Sequence, residues 1–494
     1  MYRKHGAVLI GTIALLGTFV VAGPAAVAVA QQAASELTWE ACPADVVMPA
    51  PVAVQCAKVP VPLDYGNPDG EQIEVMISKI ASTNPAKRRG ILLLNPGGPG
   101  GTGIDQGAFL VNRGLPTTVS DAYDLIGMDT RGVGHSTPMS CGFTLEDPYW
   151  ANIPPYAVDD AAVTRQAAIA KQVADKCAAA DKDGRLRHIS TANTARDLDR
   201  VRAALGEKKA SYYGASYGSA LGAAYVSLFP KTTDRIVLDS NVGETHLDRA
   251  GMRRYGLGFE QTFPDFARWV AARHGAYGLG RTPTQVRQTF LRIVERLDKT
   301  PAPDGADGAV VRYLTFAGLY SEMLYGRTAR LLQTYLNPAQ APATKQAPTP
   351  NPNDNAFTAF LATTCNDVNW PEDVATYRRA VAEDRKRYPL YGAATANITP
   401  CAYWKHEPSE PPVKVDAKGP ATVLILQNRR DPVTPWAGGK LLRDKFGQRA
   451  KLVTAEESGH GVFLVHTNAC AFTITTNWLV DGKMPARDTT CRPS

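Results

Sequence analysis

One serine of the sequence, Ser216, stands in a motif that is typical of catalytic nucleophiles. Residues 214–218 read Gly-Ala-Ser-Tyr-Gly, which matches the G-x-S-x-G motif of a nucleophile elbow, a sharp strand-to-helix turn that exposes Ser216. A β-prone run at 210–213 precedes the motif, and small apolar residues at 219–229 are typical of a buried helix. The glycines leave room for a turn in which the serine takes a strained backbone conformation. Alone, the five residues also fit a glycine- and serine-rich turn before a buried helix.

Two groups that a serine nucleophile requires follow it along the chain. A serine hydroxyl needs a base that titrates near neutral pH, and a histidine base needs a carboxylate that holds its tautomer. Asp431 and His460 each follow a predicted strand, and the order Ser216, Asp431, His460 is that of α/β-hydrolase triads. Each also has another interpretation, because Asp431 precedes a proline and suits a turn, while His460 lies between two glycines and suits a loop. Their joint occurrence favours a catalytic triad.

Other residues compete for these roles. His466 follows His460 by six residues, but it stands where the last predicted helix begins. Asp129 and His135 form a second acid–histidine pair, which precedes the serine in the chain. We interpret Asp129, Arg131 and Ser136 as structural residues that hold a loop at the end of a strand.

Residues 95–103, which we call the glycine loop, read Asn-Pro-Gly-Gly-Pro-Gly-Gly-Thr-Gly and follow a buried strand. Part of the glycine loop matches the G-x-G-x-x-G fingerprint of dinucleotide-binding proteins, but its prolines interrupt the helix that this fingerprint requires. We therefore predict an oxyanion hole, in which backbone N–H groups of Tyr217 and of Gly97 or Gly98 bind the developing negative charge. The chain has no H-E-x-x-H or C-x-x-C motif, so we expect neither a metal nor a cofactor.

The elements that must position these residues alternate along the chain. Helical patterns at 159–180, 193–205 and 219–229 separate several of the apolar runs, and this alternation predicts a mostly parallel sheet flanked by helices, the α/β-hydrolase fold. Residues 37–62 predict an irregular lead-in. The predicted strands are 72–80, 91–94, 123–129, 210–213, 234–239, 421–427 and 450–455.

The pattern becomes helical and aromatic after residue 244, with proline-rich gaps, and it predicts a mainly helical cap inserted into the sheet domain. The expected organisation is a signal peptide at 1–30, a first part of the hydrolase core at 31–244, the cap at 245–418 and the rest of the core at 419–494. The formal net charge of +7 is scattered, so we expect no nucleic-acid partner. We expect a monomer.

Residues 1–30 combine a basic start, an apolar run and the sequence Ala-Val-Ala at 28–30, which predicts a cleaved signal peptide and secretion. A membrane anchor is the alternative, but glycines and a proline break the apolar run. Eight cysteines suit an exported protein. Proximity along the chain predicts four disulfides: Cys42–Cys56, Cys141–Cys177, Cys365–Cys401 and Cys470–Cys491.

With these residues assembled, the chain resembles the secreted actinobacterial tripeptidyl aminopeptidases, a family of α/β-hydrolase exopeptidases related to the prolyl aminopeptidases. The resemblance extends over nearly the whole mature chain. It rests on Val-Pro-Val-Pro-Leu-Asp-Tyr at 59–65, Asn-Pro-Gly-Gly-Pro-Gly at 95–100, Asp-x-Arg-Gly-x-Gly-x-Ser at 129–136, the elbow at 214–218, Asp-Pro-x-Thr-Pro at 431–435, Gly-His-Gly at 459–461 and Asp-Gly-Lys-Met-Pro at 481–485 before Cys491.

This resemblance implies roles for particular residues. Ser216, Asp431 and His460 correspond to the triad, and Gly98 and Tyr217 correspond to the oxyanion donors. The family releases short peptides or single residues from free N termini, and an acidic group in or near the cap binds the substrate ammonium. The candidate acids here are Glu244, Glu322 and Asp367.

Three functions agree with the sequence. The favoured one is a secreted serine aminopeptidase that forms an acyl-enzyme on Ser216 and acts on peptides. The second is a secreted esterase or amidase of small molecules with the same triad and a different cap pocket. The third, a binding protein without catalysis, is disfavoured because every triad position is occupied by a competent residue. A carboxylate-nucleophile enzyme such as an epoxide hydrolase or a dehalogenase is disfavoured, because the elbow carries Ser216 where those enzymes carry a carboxylate.

Overall fold

A ten-stranded sheet organises the described part of the chain, which in this computed structural model comprises residues 37–46, 52–336, 350–465 and 468–493. The predicted signal peptide and His466 lie outside the described residues. The strands, in chain order, are β1 Glu40–Ala41, β2 Gln55–Pro62, β3 Gln72–Ile80, β4 Gly90–Asn95, β5 Tyr123–Met128, β6 Ala210–Ala215, β7 Thr233–Asp239, β8 Val423–Arg430, β9 Ala450–Ser458 and β10 Thr489–Cys491.

The helices lie between and after these strands. They are α1 Gln106–Asn112, α2 Thr117–Ala122, α3 Asp160–Ala180, α4 Thr191–Ala204, α5 Tyr217–Leu228, α6 Arg249–Ala271, α7 His274–Tyr277, α8 Pro283–Lys299, α9 Gly308–Gly318, α10 Tyr325–Thr334, α11 Asp354–Asp367, α12 Val374–Arg387, α13 Gly392–Thr395, α14 Trp436–Phe446 and α15 Ala469–Asp481.

The strand order is β1-β2-β3-β5-β4-β6-β7-β8-β9-β10. The first three pairings, up to β3 with β5, are antiparallel, and every pairing from β5 onward is parallel. The seven predicted strands are therefore confirmed as β3 to β9, and the mostly parallel sheet of an α/β-hydrolase is present. In such a sheet the loops after the carboxyl ends of parallel strands meet at one edge, which is where the candidate residues stand.

The prediction of an irregular lead-in at 37–62 is wrong, because β1 and β2 extend the sheet there. The prolines at 60 and 62 obscured β2, since proline cannot donate to a sheet ladder. β1 pairs only with Gln55 and Cys56, so the rest of β2 is an edge strand, where a missing N–H is tolerated. The buried side chains of Val59 and Val61 alternate along β2 and join the core.

The sheet is covered on both faces. In β4, Ile91 and Leu93 pack into the cluster that includes α4, α5, α6 and α8, whereas Leu92 and Leu94 pack into the cluster that includes α1, α2 and α15. Successive side chains of a strand point to opposite faces, so a continuous apolar strand such as β4 requires cover on both sides.

Helices α6 to α13 follow β7 and precede β8, in the region predicted as the cap. Aromatic rings form much of their interior, with centroid separations of 5.0 to 6.1 Å among Phe259, Phe263, Phe290, Phe316 and Tyr391. α11 also contacts a segment that precedes this region in the chain, because its first residue, Asp354, accepts a hydrogen bond from the N–H of Phe143 at 2.7 Å.

Four disulfides join the predicted partners: Cys42 with Cys56, Cys141 with Cys177, Cys365 with Cys401 and Cys470 with Cys491. The first ties the lead-in to β2, and the last ties the start of α15 to β10. Among the helices of the described ranges, none combines the length and the apolar character that a membrane crossing requires.

Candidate active site

Ser216 occupies the turn between β6 and α5 and has φ +59° and ψ −124°, a conformation that side-chain-bearing residues rarely adopt. The flanking glycines are required by close approach. A Cβ added at Gly214 would lie 2.4 Å from the carbonyl oxygen of Gly218, and one added at Gly218 would lie 2.7 Å from that of Asn95. The N–H of Ser216 donates to the carbonyl of Asp239 at 2.9 Å. The steric reasoning for the elbow is thus matched by its geometry.

Asp431 and His460 are in direct contact. Asp431 follows β8 and is fully buried, and its Oδ1 accepts hydrogen bonds from the N–H groups of Val433 and Thr434, both at 2.9 Å. His460 Nδ1 lies 3.0 and 2.9 Å from the two carboxylate oxygens. Burial lowers the pKa of His460, but the charge and hydrogen bond of Asp431 outweigh that effect and raise it overall. The carboxylate thereby holds a proton on Nδ1 and leaves Nε2 as the basic nitrogen.

The segment 459–463, which we call the histidine loop, is anchored by Asp239 at the end of β7. This buried carboxylate accepts hydrogen bonds from the N–H groups of Val462 at 2.9 Å and Phe463 at 2.8 Å, and from the hydroxyl of Tyr213 at 3.1 Å. Burial raises the pKa of Asp239 to about 6 in spite of these hydrogen bonds. Because the backbone carbonyl of Asp239 also binds the elbow, one residue links the nucleophile turn to the histidine loop.

The glycine loop lies directly against the elbow. A Cβ added at Gly97 would be 2.9 Å from Ser216 Cβ and 3.2 Å from the nitrogen of Tyr217. The N–H of Gly97 donates to Asn95 Oδ1 at 3.0 Å. In the described ranges, neither the N–H of Gly98 nor that of Tyr217 has a hydrogen-bond acceptor. Both N–H groups are therefore unused. That of Tyr217 follows the serine and begins α5, where the helix dipole favours negative charge, and that of Gly98 follows Gly97, which lies against the serine.

Tyr320 is a neighbour of the candidate base that sequence reasoning missed. The N–H of His460 donates to the carbonyl of Tyr320 at 2.8 Å, and the two rings meet edge to face with centroids 5.2 Å apart. Tyr320 follows α9, more than a hundred positions before the histidine in the chain. No local motif marks it, so only the packing of the inserted helices could reveal the contact.

The three candidate acids lie in different environments. Glu244 forms an ion pair with Lys445 at 2.9 Å. Glu322 begins a short 3₁₀ turn two residues after Tyr320, is exposed, and has no ion pair within the residues that the structure describes. Asp367 is buried and accepts two hydrogen bonds from Thr191.

Asp129, the acid of the competing pair with His135, accepts hydrogen bonds from backbone N–H groups of two loops. Asp129 Oδ1 accepts from the N–H of Gly103 at 2.7 Å, and Oδ2 accepts from the N–H of His135 at 2.9 Å. Arg131 is fully buried and forms a two-bond ion pair with Asp197 at 2.7 and 2.6 Å. These contacts agree with structural roles for Asp129 and Arg131. Over the described residues, no group of three or more His, Cys, Asp or Glu side chains could hold a metal ion.

Known proteins of similar sequence cover almost the whole chain. A family model described as TAP-like protein matches residues 388–491, which include Asp431 and His460. The chain is 34% identical to the tripeptidyl aminopeptidase of Streptomyces lividans over 95% of its own length and 89% of that protein. It is 28% identical to serine protease Hip1 of Mycobacterium tuberculosis, with 89% of this chain and 88% of that protein covered.

A third relative has a different name. Carboxylesterase B of Mycobacterium tuberculosis is 29% identical to the chain, with 93% of this chain and 91% of that protein covered. The highest of these identities extends over nearly the full length of both proteins, and the sheet has the expected topology. The chain therefore belongs to the tripeptidyl aminopeptidase family of α/β-hydrolases.

Proposed function

We propose that this protein is a serine aminopeptidase that releases short peptides or single residues from free N termini. The observation that carries the proposal is the site itself: a strained serine on an elbow, a hydrogen-bonded Asp431–His460 pair, and unused N–H groups on Tyr217 and Gly98. Membership of the family supports the peptidase assignment, since the Streptomyces relative is a tripeptidyl aminopeptidase.

In the proposed mechanism His460 Nε2 accepts the hydroxyl proton of Ser216 as Oγ attacks the scissile carbonyl carbon. The carbonyl oxygen becomes an oxyanion, and the N–H groups of Gly98 and Tyr217 donate to it. His460 then gives its proton to the leaving amine, and an ester to Ser216 remains. Water, deprotonated by His460, attacks that ester, and the peptide acid leaves while the serine regains its proton. Asp431 stabilises the imidazolium in both halves of the reaction.

Glu322 is the acid that best suits the substrate ammonium. Its carboxylate is exposed and lacks an ion pair in the described part of the chain, and it stands two residues from Tyr320, which contacts His460. Glu244 already neutralises Lys445. We infer that the inserted helices between residues 245 and 418 act as a cap that brings Glu322 to the mouth of the site.

An esterase or amidase of small molecules is the second candidate function. The similarity to carboxylesterase B favours it, because an ester and an amide carbonyl can be attacked by the same triad. The two functions differ in what the cap recognises, namely a free amine or an uncharged acyl group.

We also propose that the protein is secreted as a monomer after cleavage of residues 1–30. Four disulfides in one chain require an oxidising compartment in which to form. Mass spectrometry of the protein from culture medium would report the new N terminus, and light scattering would report the mass in solution. An uncleaved, cell-bound chain would contradict secretion.

A substrate panel tests the function. It contains chromogenic amides of one, two and three residues, each with a free and an acetylated N terminus, and short acyl esters. We expect cleavage of the free-amine peptides only, and its loss in Ser216→Ala, which removes the nucleophile and lowers kcat by several orders of magnitude. Cleavage of esters alone would establish the second function. Unchanged hydrolysis by Ser216→Ala would refute both.

A further inference from the structure

A chain of hydrogen bonds leads from Asp367, the last residue of α11, to the residue that follows the candidate nucleophile. The Asp367 carboxylate accepts from the N–H of Thr191 at 2.7 Å and from Thr191 Oγ1 at 2.6 Å. Thr191 Oγ1 lies 2.7 Å from the hydroxyl oxygen of Tyr217. All three residues are buried, with exposed fractions of 6%, 2% and 4% respectively. These hydrogen bonds join the inserted helices to the first residue of α5.

The protonation state of Asp367 decides in which direction these hydrogen bonds run. When Asp367 is ionised, Thr191 donates both its N–H and its O–H to the carboxylate, so Thr191 Oγ1 is free to accept from Tyr217. When Asp367 is protonated, its O–H donates to Thr191, the Thr191 O–H turns toward Tyr217, and the Tyr217 proton has no other acceptor among the described residues. An unpaired buried donor is costly. The ionised carboxyl is therefore the form in which every proton of these hydrogen bonds has an acceptor, and it holds the Tyr217 side chain more firmly than the protonated form.

The same helix contacts the glycine loop at its other end. The carbonyl of Ala356, in the first turn of α11, is so close to Gly100 that a Cβ added there would lie 2.4 Å from it. At its last turn, α11 is fastened by the disulfide Cys365–Cys401 and by Asn366, whose Nδ2 donates to the carbonyls of residues 186 and 189. α11 thus contacts the glycine loop directly and reaches Tyr217 through Thr191.

We propose that Asp367 is a positioning residue for the oxyanion hole, and that it acts through Thr191 to orient Tyr217, whose N–H faces the oxyanion. The proposal rests on the serine hydrolase function proposed above. It also gives Asp367 a role other than the ammonium binding that the family resemblance implies. The carboxylate is buried, and both of its hydrogen bonds within the described residues are made to Thr191.

The surroundings of Asp367 place its ionisation where it can affect catalysis. Burial raises the pKa of Asp367 to about 7, against the lowering effect of the Thr191 hydrogen bonds, and the charge of Glu410 adds to the rise. Glu410 is itself paired with Arg196. Burial also raises the pKa of Tyr217, which therefore keeps its proton. Burial lowers the pKa of His246, which lines a small cavity together with Asp367 and Glu410. Turnover should thus increase as pH rises through the pKa of Asp367.

Two conservative variants break the hydrogen-bond chain and keep the backbone of the oxyanion hole, Thr191→Val and Tyr217→Phe. For each we expect kcat to fall about tenfold with KM nearly unchanged, well short of the ~10²–10³-fold loss that follows removal of a whole oxyanion donor. The double variant should lose no more than either single one, because both changes break the same link, whereas independent effects would multiply to about a hundredfold. Equal thermal midpoints would show that the variants are folded.

The pH dependence of kcat distinguishes a positioning role of Asp367 from a purely structural one. The pH profile of wild-type kcat should show a step near the pKa of Asp367, in addition to the step caused by ionisation of His460. The step should disappear in Asp367→Asn and in Tyr217→Phe. Glu410→Gln is the matched control, since loss of its negative charge should move the step to lower pH and leave kcat at high pH unchanged.

Three results would overturn the inference. They are wild-type kcat in folded Thr191→Val and Tyr217→Phe, losses that multiply in the double variant, and a pH step that is unchanged in Asp367→Asn. Failure of the proposed function would give a different result, because hydrolysis would then survive in Ser216→Ala. If Ser216→Ala is inactive and the other variants are unaffected, the serine mechanism stands and only the role of Asp367 is lost.

Discussion

Replacing Asp431 with asparagine should give the wrong tautomer of His460 in an otherwise intact site. Oδ1 of Asp431 is held by the N–H groups of Val433 and Thr434, which need an oxygen acceptor, so the amide oxygen of asparagine must occupy that position. The amide NH₂ then stands where Oδ2 stood, beside Thr434 Oγ1 and His460 Nδ1. An NH₂ group donates, so Nδ1 becomes the acceptor and the imidazole proton moves to Nε2.

A histidine protonated on Nε2 cannot accept the hydroxyl proton of Ser216. In serine proteases, the same exchange of acid for amide lowers kcat by ~10⁴-fold, about 5 kcal/mol of transition-state stabilisation. We expect a loss of similar size here, with KM changed little, because none of the altered contacts involves the substrate. The thermal midpoint should stay near that of the wild type, since both N–H bonds to Oδ1 are kept and the Thr434 hydroxyl can turn to accept from the new NH₂ group.

The assay is steady-state hydrolysis of the best free-amine substrate from the panel, with Ser216→Ala setting the background. Asp431→Ala is the matched control for the tautomer, because it removes the carboxylate without adding a donor and leaves the N–H groups of Val433 and Thr434 without their acceptor. It should be less stable than Asp431→Asn. A folded Asp431→Asn enzyme within tenfold of the wild-type kcat would show that Asp431 does not set the tautomer, and the assignment of the acid would be wrong.

Three other predictions follow from the site and the fold. The proposed mechanism needs neutral His460, whose pKa is raised, so kcat/KM should fall as pH drops through that raised pKa. Asp239→Asn removes one of the negative charges that raise the pKa of His460, so the fall in kcat/KM should move to lower pH. An unmoved pH profile would show that Asp239 has no such influence. Glu322→Gln should raise KM for free-amine peptides and leave acetylated or ester substrates unaffected, and equal effects on both classes would count against ammonium binding. Replacing Cys365 and Cys401 by serine opens a loop of 36 residues and should lower the free energy of unfolding by about 4 kcal/mol in a denaturant titration, unless the reduced chain keeps this contact when unfolded.

Much of the candidate site could be predicted because its signals are local. The elbow depends on a strand, a turn and a helix that are contiguous, and the glycines at 214 and 218 are required by contacts within a few residues and by one neighbouring strand. Asp431 and His460 each follow an apolar strand that is recognisable without knowing its partners. The disulfides could be predicted for the same reason, since the paired cysteines are only 14 to 36 residues apart.

Other features depend on contacts that no local pattern records. β2 was obscured by its prolines, which are tolerated only because β1 leaves most of that strand at the sheet edge. The residues alone left Gly97 and Gly98 open and the family resemblance favoured Gly98, whereas the structure adds that Asn95 Oδ1 binds the N–H of Gly97. Glu244, Glu322 and Asp367 were equivalent acids until their partners were known.

The sequence by itself determined the fold, and it indicated a candidate nucleophile and the order of the three candidate catalytic residues. Strand-to-helix turns and apolar periodicity are properties of neighbouring residues, so they can be recognised without the tertiary structure. Tertiary structure alone decided that Tyr320 contacts His460 and that Asp367 reaches Tyr217 through Thr191. Asp367 and Thr191 are 176 residues apart, and their contact arises only when α11 packs against the start of α4. Burial and hydrogen-bond partners, which set what a carboxylate can do, are consequences of that packing.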